Sequence, residues 1–389
     1  MTIKQVKDSV AVMDEHKINI AEPLIGAEEE QAVLHVLRSG WLTQGSVVGE
    51  FERIFAGIHD VKHAVATTSC TTALHLALTA MGIGPGDEVI VPAFTWVATA
   101  NVVRQCGATP VFIDVMSDTY NIDTEKVPAL LTERTRAIIP VHLFGLCADM
   151  DALKSLLPDH VLILEDAACA VGAKYKGKSA GSLGDAAAFS FHPRKMVTCG
   201  EGGMVTTDDD ILAHKMRVLR NHGASIPEET RHLSARPYDM PEFHECGFNY
   251  RLTDIQAAIA IPQLRKLDAL LDFRRTIAAQ YQRLLADIEW FRTPFIPNYA
   301  EHCWQAYVGV IDRDIAPCRR DDILEILNEN GISARCGTHA IPELDAYATD
   351  NKAICPVSAE LSQMSIALPM HNAMRNSDVD RIVRVLQKI

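Results

Sequence analysis

The chain has 389 residues, 48% hydrophobic and 22% charged, which is the composition of an ordinary globular protein at the length of two domains, or of one large domain with an appendage. Lys and Arg number 37 against 50 Asp and Glu, and the formal net charge of -13 has the wrong sign for a general nucleic-acid binder. Ten dispersed cysteines with no Cys-x-x-Cys pair and no Cys/His set at zinc spacing exclude a disulfide- or metal-stapled module, so reduced thiols, a cytoplasmic location and no bound metal are expected.

In chain order, the first twenty residues are interrupted by charges and lack the apolar stretch of a signal peptide, and no later apolar run is long enough to span a membrane. Residues 26–38 (GAEEEQAVLHVLR) place acidic groups early and apolar ones at helical spacing before Ser39 and Gly40, which predicts a helix. Residues 61–66 read as a strand, 67–71 as a small polar loop, and 73–81 as a helix stopped by Gly82-Ile-Gly-Pro-Gly86. Apolar runs at 88–91, 110–114, 137–141, 161–164 and 186–191, with a helical pattern at 98–106, continue the rhythm and predict an α/β fold of parallel strands buried on both faces. A helical pattern then runs over 254–285, where Pro262 is expected to kink or break it. The strand-like 307–311 and a helix at 378–388 complete a tail read as a smaller α+β domain, giving a large domain over 1–255 and a linking helix with a C-terminal domain over 256–389.

Two segments carry chemistry. Val161-Leu-Ile-Leu-Glu-Asp166 ends a buried strand in a carboxylate, the place where open α/β sheets put their ligand sites. Asp166 is equally suited to cap a helix over the Ala-rich stretch behind it. The second segment, Phe189-Ser-Phe-His-Pro-Arg-Lys195 followed by Gly200, Gly202 and Gly203, ends a strand in a lysine-bearing loop. A loop lysine is ordinarily a solvated charge, but one placed by a buried strand can have its pKa lowered and form a Schiff base with a carbonyl compound. Such a lysine paired with an Asp for a pyridinium nitrogen is what pyridoxal phosphate chemistry requires. Thr68-Ser-Cys-Thr-Thr72 opens a helix with hydroxyls and N-H groups suited to a phosphate, or to plain capping, and Ser190 adds a hydroxyl. Phe94 and Trp96 follow a buried strand, where core packing is the usual role of each ring and stacking on a cofactor the alternative.

The ordered set Gly40-Trp-Leu-Thr-Gln-Gly45, Ser69-Cys-Thr-Thr-Ala-Leu-His-Leu-Ala77, the segment from Gly84 to Trp96, Glu165-Asp-Ala-Ala168, the segment from Phe189 to Gly203, Arg220-Asn-His-Gly223 and the segment from Gly247 to Gln256 resembles the DegT/DnrJ/EryC1/StrS aminotransferases from about residue 18 onward. The resemblance implies a fold-type I transferase that uses pyridoxal 5'-phosphate, with pyridoxamine 5'-phosphate carrying the amino group between half-reactions. It makes Lys195 the imine-forming lysine, Asp166 the pyridinium partner, Trp96 the stacking ring, and Thr71, Thr72 and Ser190 the phosphate ligands. It further implies a homodimer with composite sites, in which Asn249 reaches the neighbouring subunit's phosphate, and it places Arg251, His192 and Trp41 on the substrate side. Two departures stand out: Cys70 replaces a common Gly, and Cys169 replaces a common Gln or His at a cofactor-contacting position.

By that resemblance the partners are small molecules, L-glutamate and a nucleotide-linked keto-sugar, with no nucleic acid and no membrane. The segment from Ile18 to Gly45 is similar to members that aminate C4 of a 4-keto-6-deoxy sugar nucleotide; C3-acting and cyclitol aminotransferases are the alternatives. Members that carry histidine at the lysine position act as dehydratases, a role Lys195 argues against. A nicotinamide dehydrogenase is disfavoured because Gly82, Gly84 and Gly86 follow a helix and precede a strand, the reverse of the dinucleotide fingerprint. A silent regulatory protein on the same fold is the remaining alternative.

Overall fold

Seven strands form one sheet in the computed structural model, which describes residues 16–226, 234, 236, 238–347 and 354–389. They are β1 (His63–Thr67), β2 (Glu88–Pro92), β3 (Thr109–Ile113), β4 (Thr135–Ile138), β5 (Leu162–Asp166), β6 (Ala186–Ser190) and β7 (Gly203–Thr207), in the order β1-β7-β6-β5-β4-β2-β3. Strands β2 to β6 pair in parallel, whereas β7 runs antiparallel to both β6 and β1. The central sheet is therefore mostly parallel, as expected of the large domain. The connection 191–202 holds no crossover helix, so the chain can only turn back on itself there.

The strands are apolar throughout because both faces are covered. Val89, Ala137, Ala188 and Val205 face α3 (Cys70–Ala80), α4 (Ala98–Gln105) and α6 (Asp210–Arg220). Their neighbours Ile90, Ile138, Ala187 and Met204 face α2 (Ser46–His59), α5 (Met150–Leu156) and α7 (Asp254–Arg265), and α1 (Ala27–Ser39) packs outside on α7. The predicted long helix is two: α7, and α8 (Leu267–Leu285). Pro262 stays inside α7, where it removes a single backbone donor, and the break falls instead at Lys266, whose Nζ lies 2.6 Å from Glu29 and 3.3 Å from Glu28 of α1.

A second, antiparallel sheet of order β8-β9-β11-β10 joins β8 (Phe291–Arg292), β9 (Tyr307–Ile311), β10 (Arg335–Cys336) and β11 (Ser365–Leu368). Its core takes Ile277 and Tyr281 from α8, Ile323 and Leu327 from α9 (Arg320–Glu329), and Ile382 and Leu386 from α11 (Asn376–Gln387). The intervening helix α10 (Pro356–Met364) has its first turn anchored by Asp114, which accepts from the N-H groups of Val357 and Ser358. Ile18 is buried in this second core and bonds to Gly331 and Ser333, so the N-terminal segment reaches the C-terminal unit. A short antiparallel ribbon, Phe94–Thr95 with His339–Ala340, ties the two sheets together next to Trp96. Among the described residues no helix is long and apolar enough to cross a membrane, and no group of three His, Cys, Asp or Glu side chains could hold a metal ion. The long polar segment 225–245, whose sequence admits a reading as an active-site flap, lies partly outside the described residues.

Candidate active site

Strand register decides which groups meet. Thr67, Gly203 and Ser190 stand in one row across β1, β7 and β6, and Asp166 stands opposite Ala188 on the next strand. The loop after β1, the last residue of β6 and the last residue of β5 therefore share the carboxyl edge of the parallel strands. The row closes tightly: a Cβ on Gly203 would lie 2.2 Å from the Ser69 carbonyl oxygen and 2.7 Å from the Cys70 nitrogen. Gly203→Ala is accordingly expected to force the 68–72 turn away from β7, lowering stability by about 1–3 kcal/mol and weakening anion binding; thermal unfolding of the protein with and without inorganic phosphate checks both.

The start of α3 is capped reciprocally. Ser69 Oγ accepts from the Thr72 N-H at 3.2 Å, and Thr72 Oγ1 accepts from the Ser69 N-H at 3.0 Å while donating to the Ser69 carbonyl at 2.8 Å. The Thr72 hydroxyl is thus engaged in the cap, and the N-H groups left at the positive end of the helix for an anion are those of Cys70 and Thr71. The Ser190 hydroxyl, on the neighbouring strand end, receives only a 3.4 Å bond from the His192 N-H.

Asp166 is 5% exposed and caps no helix, because residues 167–172 form turns. Its Oδ2 accepts from Thr99 Oγ1 at 2.8 Å and its Oδ1 from the Ala168 N-H at 3.2 Å. Burial pushes the carboxyl above the usual carboxylate range, a displacement that these two donors and nearby Lys195 only partly reverse. Behind it, Glu165 points the other way and is fully committed, to His142 Nε2 at 2.8 Å and to the N-H groups of Gly181, Leu183 and Gly184.

Lys195 lies in the loop that joins β6 to β7, its N-H bonded to the His192 carbonyl at 2.8 Å. Its Nζ donates to Cys169 Sγ at 3.0 Å, which brings the Cys169 departure directly onto the amine. Burial disfavours the ammonium, but Cys169, Cys70 and Asp166 surround it and the net displacement is upward, the reverse of the lowered amine expected from burial alone.

The two aromatic candidates separate cleanly. Phe94 is buried against Tyr120 and Phe144, whereas Trp96 is 59% exposed, with its ring centroid 5.7 Å from that of His339. His192 is half-buried, its Nδ1 accepting from the Arg194 N-H, and burial pushes its imidazole down. The remaining three candidates sit on other segments. Trp41 donates to the Gln44 carbonyl at 3.1 Å beside Gly45, whose N-H is held by Asp254. Asn249 is exposed and pairs through its backbone with Asn221, whose side chain accepts from Arg251 at 2.6 Å. Tyr250, between them, accepts from the Thr68 N-H, so this segment borders the 68–72 turn. Thr99 and Gln305, whose amide donates to the Arg194 carbonyl at 3.0 Å, are supporting residues that no local pattern marks.

An amine, a buried carboxylate without a cationic hydrogen-bond donor, and helix-end N-H groups with a nearby hydroxyl fit an aldehyde cofactor that carries a pyridine nitrogen and a phosphate. Comparisons agree with that fit. The DegT/DnrJ/EryC1/StrS aminotransferase family profile matches residues 23–387. The GDP-perosamine synthase of Caulobacter vibrioides is 40% identical over 376 residues, covering 96% of this chain and 98% of that protein. Among solved structures, the Spr1654 protein of Streptococcus pneumoniae in its PLP form superposes with a TM-score of 0.88 at 28% identity, covering 96% of this chain and all (100%) of that one. DesI, solved in the presence of its TDP-sugar product, superposes with a TM-score of 0.88 at 31% identity, covering 98% of this chain and 95% of that one. With the profile spanning nearly the whole chain and an amine, carboxylate and anion cradle at one sheet edge, this chain belongs to the DegT/DnrJ/EryC1/StrS aminotransferase family and is a pyridoxal-phosphate-dependent aminotransferase.

Proposed function

We propose that the chain moves an amino group from L-glutamate to a nucleotide-linked keto-sugar, at the C4 ketone of a 4-keto-6-deoxy sugar nucleotide. The observation that carries the reaction type is the Lys195 amine at the sheet edge shared by Asp166, Ser190 and the start of α3. The substrate class draws on the relatives, one a GDP-perosamine synthase and one solved with a TDP-sugar product.

When bound, the cofactor supplies an electron sink for the charge left on the substrate carbon that loses its proton. Lys195 Nζ would hold the cofactor covalently, and as a free amine would be the base that takes that proton and returns it. Asp166, fixed by Thr99 and Ala168, keeps the ring nitrogen protonated. The N-H groups of Cys70 and Thr71 and the Ser190 hydroxyl hold the phosphate, Thr72 holds the turn that presents them, and Trp96 covers the ring. Asn249 is exposed, which suits a residue that serves the site of a second copy in a homodimer.

The test is direct. Protein loaded with pyridoxal phosphate should show a visible band that moves to the near-ultraviolet on addition of L-glutamate. The same sample should then convert a 4-keto-6-deoxy sugar linked to GDP or dTDP into a product whose NMR spectrum places nitrogen at C4. Nitrogen at C3 would overturn the position, and the absence of any glutamate response would overturn the donor.

A further inference from the structure

Cys169 touches the Lys195 amine, and the proposed reaction gives its thiol no task. Sγ and Nζ are 3.0 Å apart in direct contact, and neither residue is fully buried, so a small solute can reach the pair. The contact is held from the backbone on both sides. The turn that carries Cys169 is closed by the Ala170 N-H on the Ala167 carbonyl at 2.9 Å, and Lys195 is set by its own N-H on the His192 carbonyl at 2.8 Å. A partly exposed thiol beside a lysine is the kind that oxidants attack, and once oxidised its sulfur is an electrophile facing a nucleophilic nitrogen already in place. A competing thiol, Cys303, is fully buried and donates to the Cys169 carbonyl at 3.1 Å. It is also packed in place, since a Cβ on Gly145 would come within 2.5 Å of its sulfur. The amine is therefore the partner that Sγ meets.

We propose that Cys169 and Lys195 form an oxidative modification site, where hydrogen peroxide converts the thiol to a sulfenic acid and Nζ captures it as a sulfenamide, a direct sulfur–nitrogen bond. In the first step Sγ attacks one peroxide oxygen and the O–O bond breaks. The hydroxide released takes the proton shared by Sγ and Nζ and leaves as water; sulfur loses two electrons and the peroxide gains them. In the second step the neutral Nζ attacks sulfur and the S–O bond breaks. Hydroxide departs with one Nζ proton as a second water, with no further change of oxidation state. Excess thiol reverses the link, restoring thiol and amine while two molecules of the reductant join as a disulfide. The bond occupies the atom that the proposed function uses for cofactor attachment, so the modified protein is held inactive until it is reduced. That consequence rests on the proposed role of Lys195, whereas the bond itself does not. Cofactor attached to Nζ protects the pair for the same reason.

The test uses the full chain freed of cofactor, treated with hydrogen peroxide, alkylated, and followed by intact mass and peptide mapping. The expected product has lost two hydrogens, carries Cys169 and Lys195 on one linked pair of peptides, and returns to its starting mass with dithiothreitol. Lys195→Ala should lose the link and let dimedone trap the Cys169 sulfenic acid instead, and Cys303→Ser should keep the link. Protein loaded with pyridoxal phosphate before peroxide should show no link. Peroxide added first should remove the visible band that loading produces, until dithiothreitol restores it. Cys169 recovered as free thiol or sulfinic acid with Lys195 unlinked would overturn the inference. So would a disulfide from Cys169 to Cys70 or Cys303, or a linked pair that retains an oxygen between sulfur and nitrogen. A link that forms in protein which never gives a visible band with pyridoxal phosphate, oxidised or not, would uphold the bond and overturn the role of Lys195 in attachment.

Discussion

Replacing Lys195 with alanine is expected to abolish steady-state transamination, with a loss of at least about 10,000-fold, the upper end of what a positioned proton-transfer group contributes. The expected loss is this large because the proposed function gives one atom two duties: Nζ would be both the attachment point and the group that carries the proton. The fold does not depend on that atom. The loop 191–202 is closed by Phe191 and Gly202 at 2.9 Å, the Thr198 backbone is held on both sides by the Gln263 amide, and the Arg194 carbonyl by Gln305. The one hydrogen bond made by Nζ is to Cys169. Lys195→Ala should therefore keep the wild-type unfolding temperature and its affinity for inorganic phosphate while losing both the visible band and turnover. Retained steady-state turnover would remove Lys195 from the reaction, whereas loss of turnover together with unfolding would contradict the backbone bonding just described.

The parts of this molecule that were legible in its sequence are those set by local pattern. Apolar runs punctuated by small loops marked the strands of the large sheet, because burial on both faces leaves no other composition for a parallel strand, and helical spacing marked α1, α3, α4 and the stretch of α7 and α8, whereas α2, α5 and α6 were not legible. Gly200, Gly202 and Gly203 marked the turn after Lys195, but the direction of β7 depends on pairing with β1, which lies more than a hundred residues earlier. The helix break falls at Lys266, which pairs with carboxylates on α1, whereas a local rule pointed to Pro262. The same limit separates the site residues. Asp166 and Ser190 end strands and Lys195 lies in the loop that follows one, positions that the sequence pattern marks as candidates for a site. Thr99 and Gln305 reach the site from α4 and from the segment just before β9, and a Thr or a Gln in such a position carries no signature. The upward displacement of the Lys195 amine belongs to this second kind, since it comes from Cys169 and Asp166 on one segment and Cys70 on another.

Asp166→Asn is expected to lose activity by about 1,000-fold, the scale of removing one preorganised electrostatic group from a reacting centre, and at the same time to make the cofactor-free protein more stable at neutral pH. Both effects have one cause. Burial raises the Asp166 carboxyl above its unfolded value, so the folded protein binds that proton more tightly than the unfolded chain does. The contribution of Asp166 to cofactor-free stability is then most favourable below its unfolded pKa and falls as pH rises through the raised folded value. A carboxylate in this position is held away from water, and the Thr99 hydroxyl, the Ala168 N-H and nearby Lys195 compensate it only in part. Asparagine has the same shape and accepts the same Thr99 hydrogen bond without the charge, so the cofactor-free variant should unfold at a higher temperature than wild type at pH 7, and the difference should shrink as pH is lowered. If bound pyridoxal phosphate sets its protonated ring nitrogen against Asp166, as proposed, it would compensate the wild-type carboxylate, and the order should reverse. Thermal unfolding across pH, with and without cofactor, alongside the glutamate half-reaction rate, separates these outcomes. If the cofactor-free variant is no more stable than wild type at pH 7, Asp166 does not carry an uncompensated charge, and its partner is then some group other than the cofactor nitrogen.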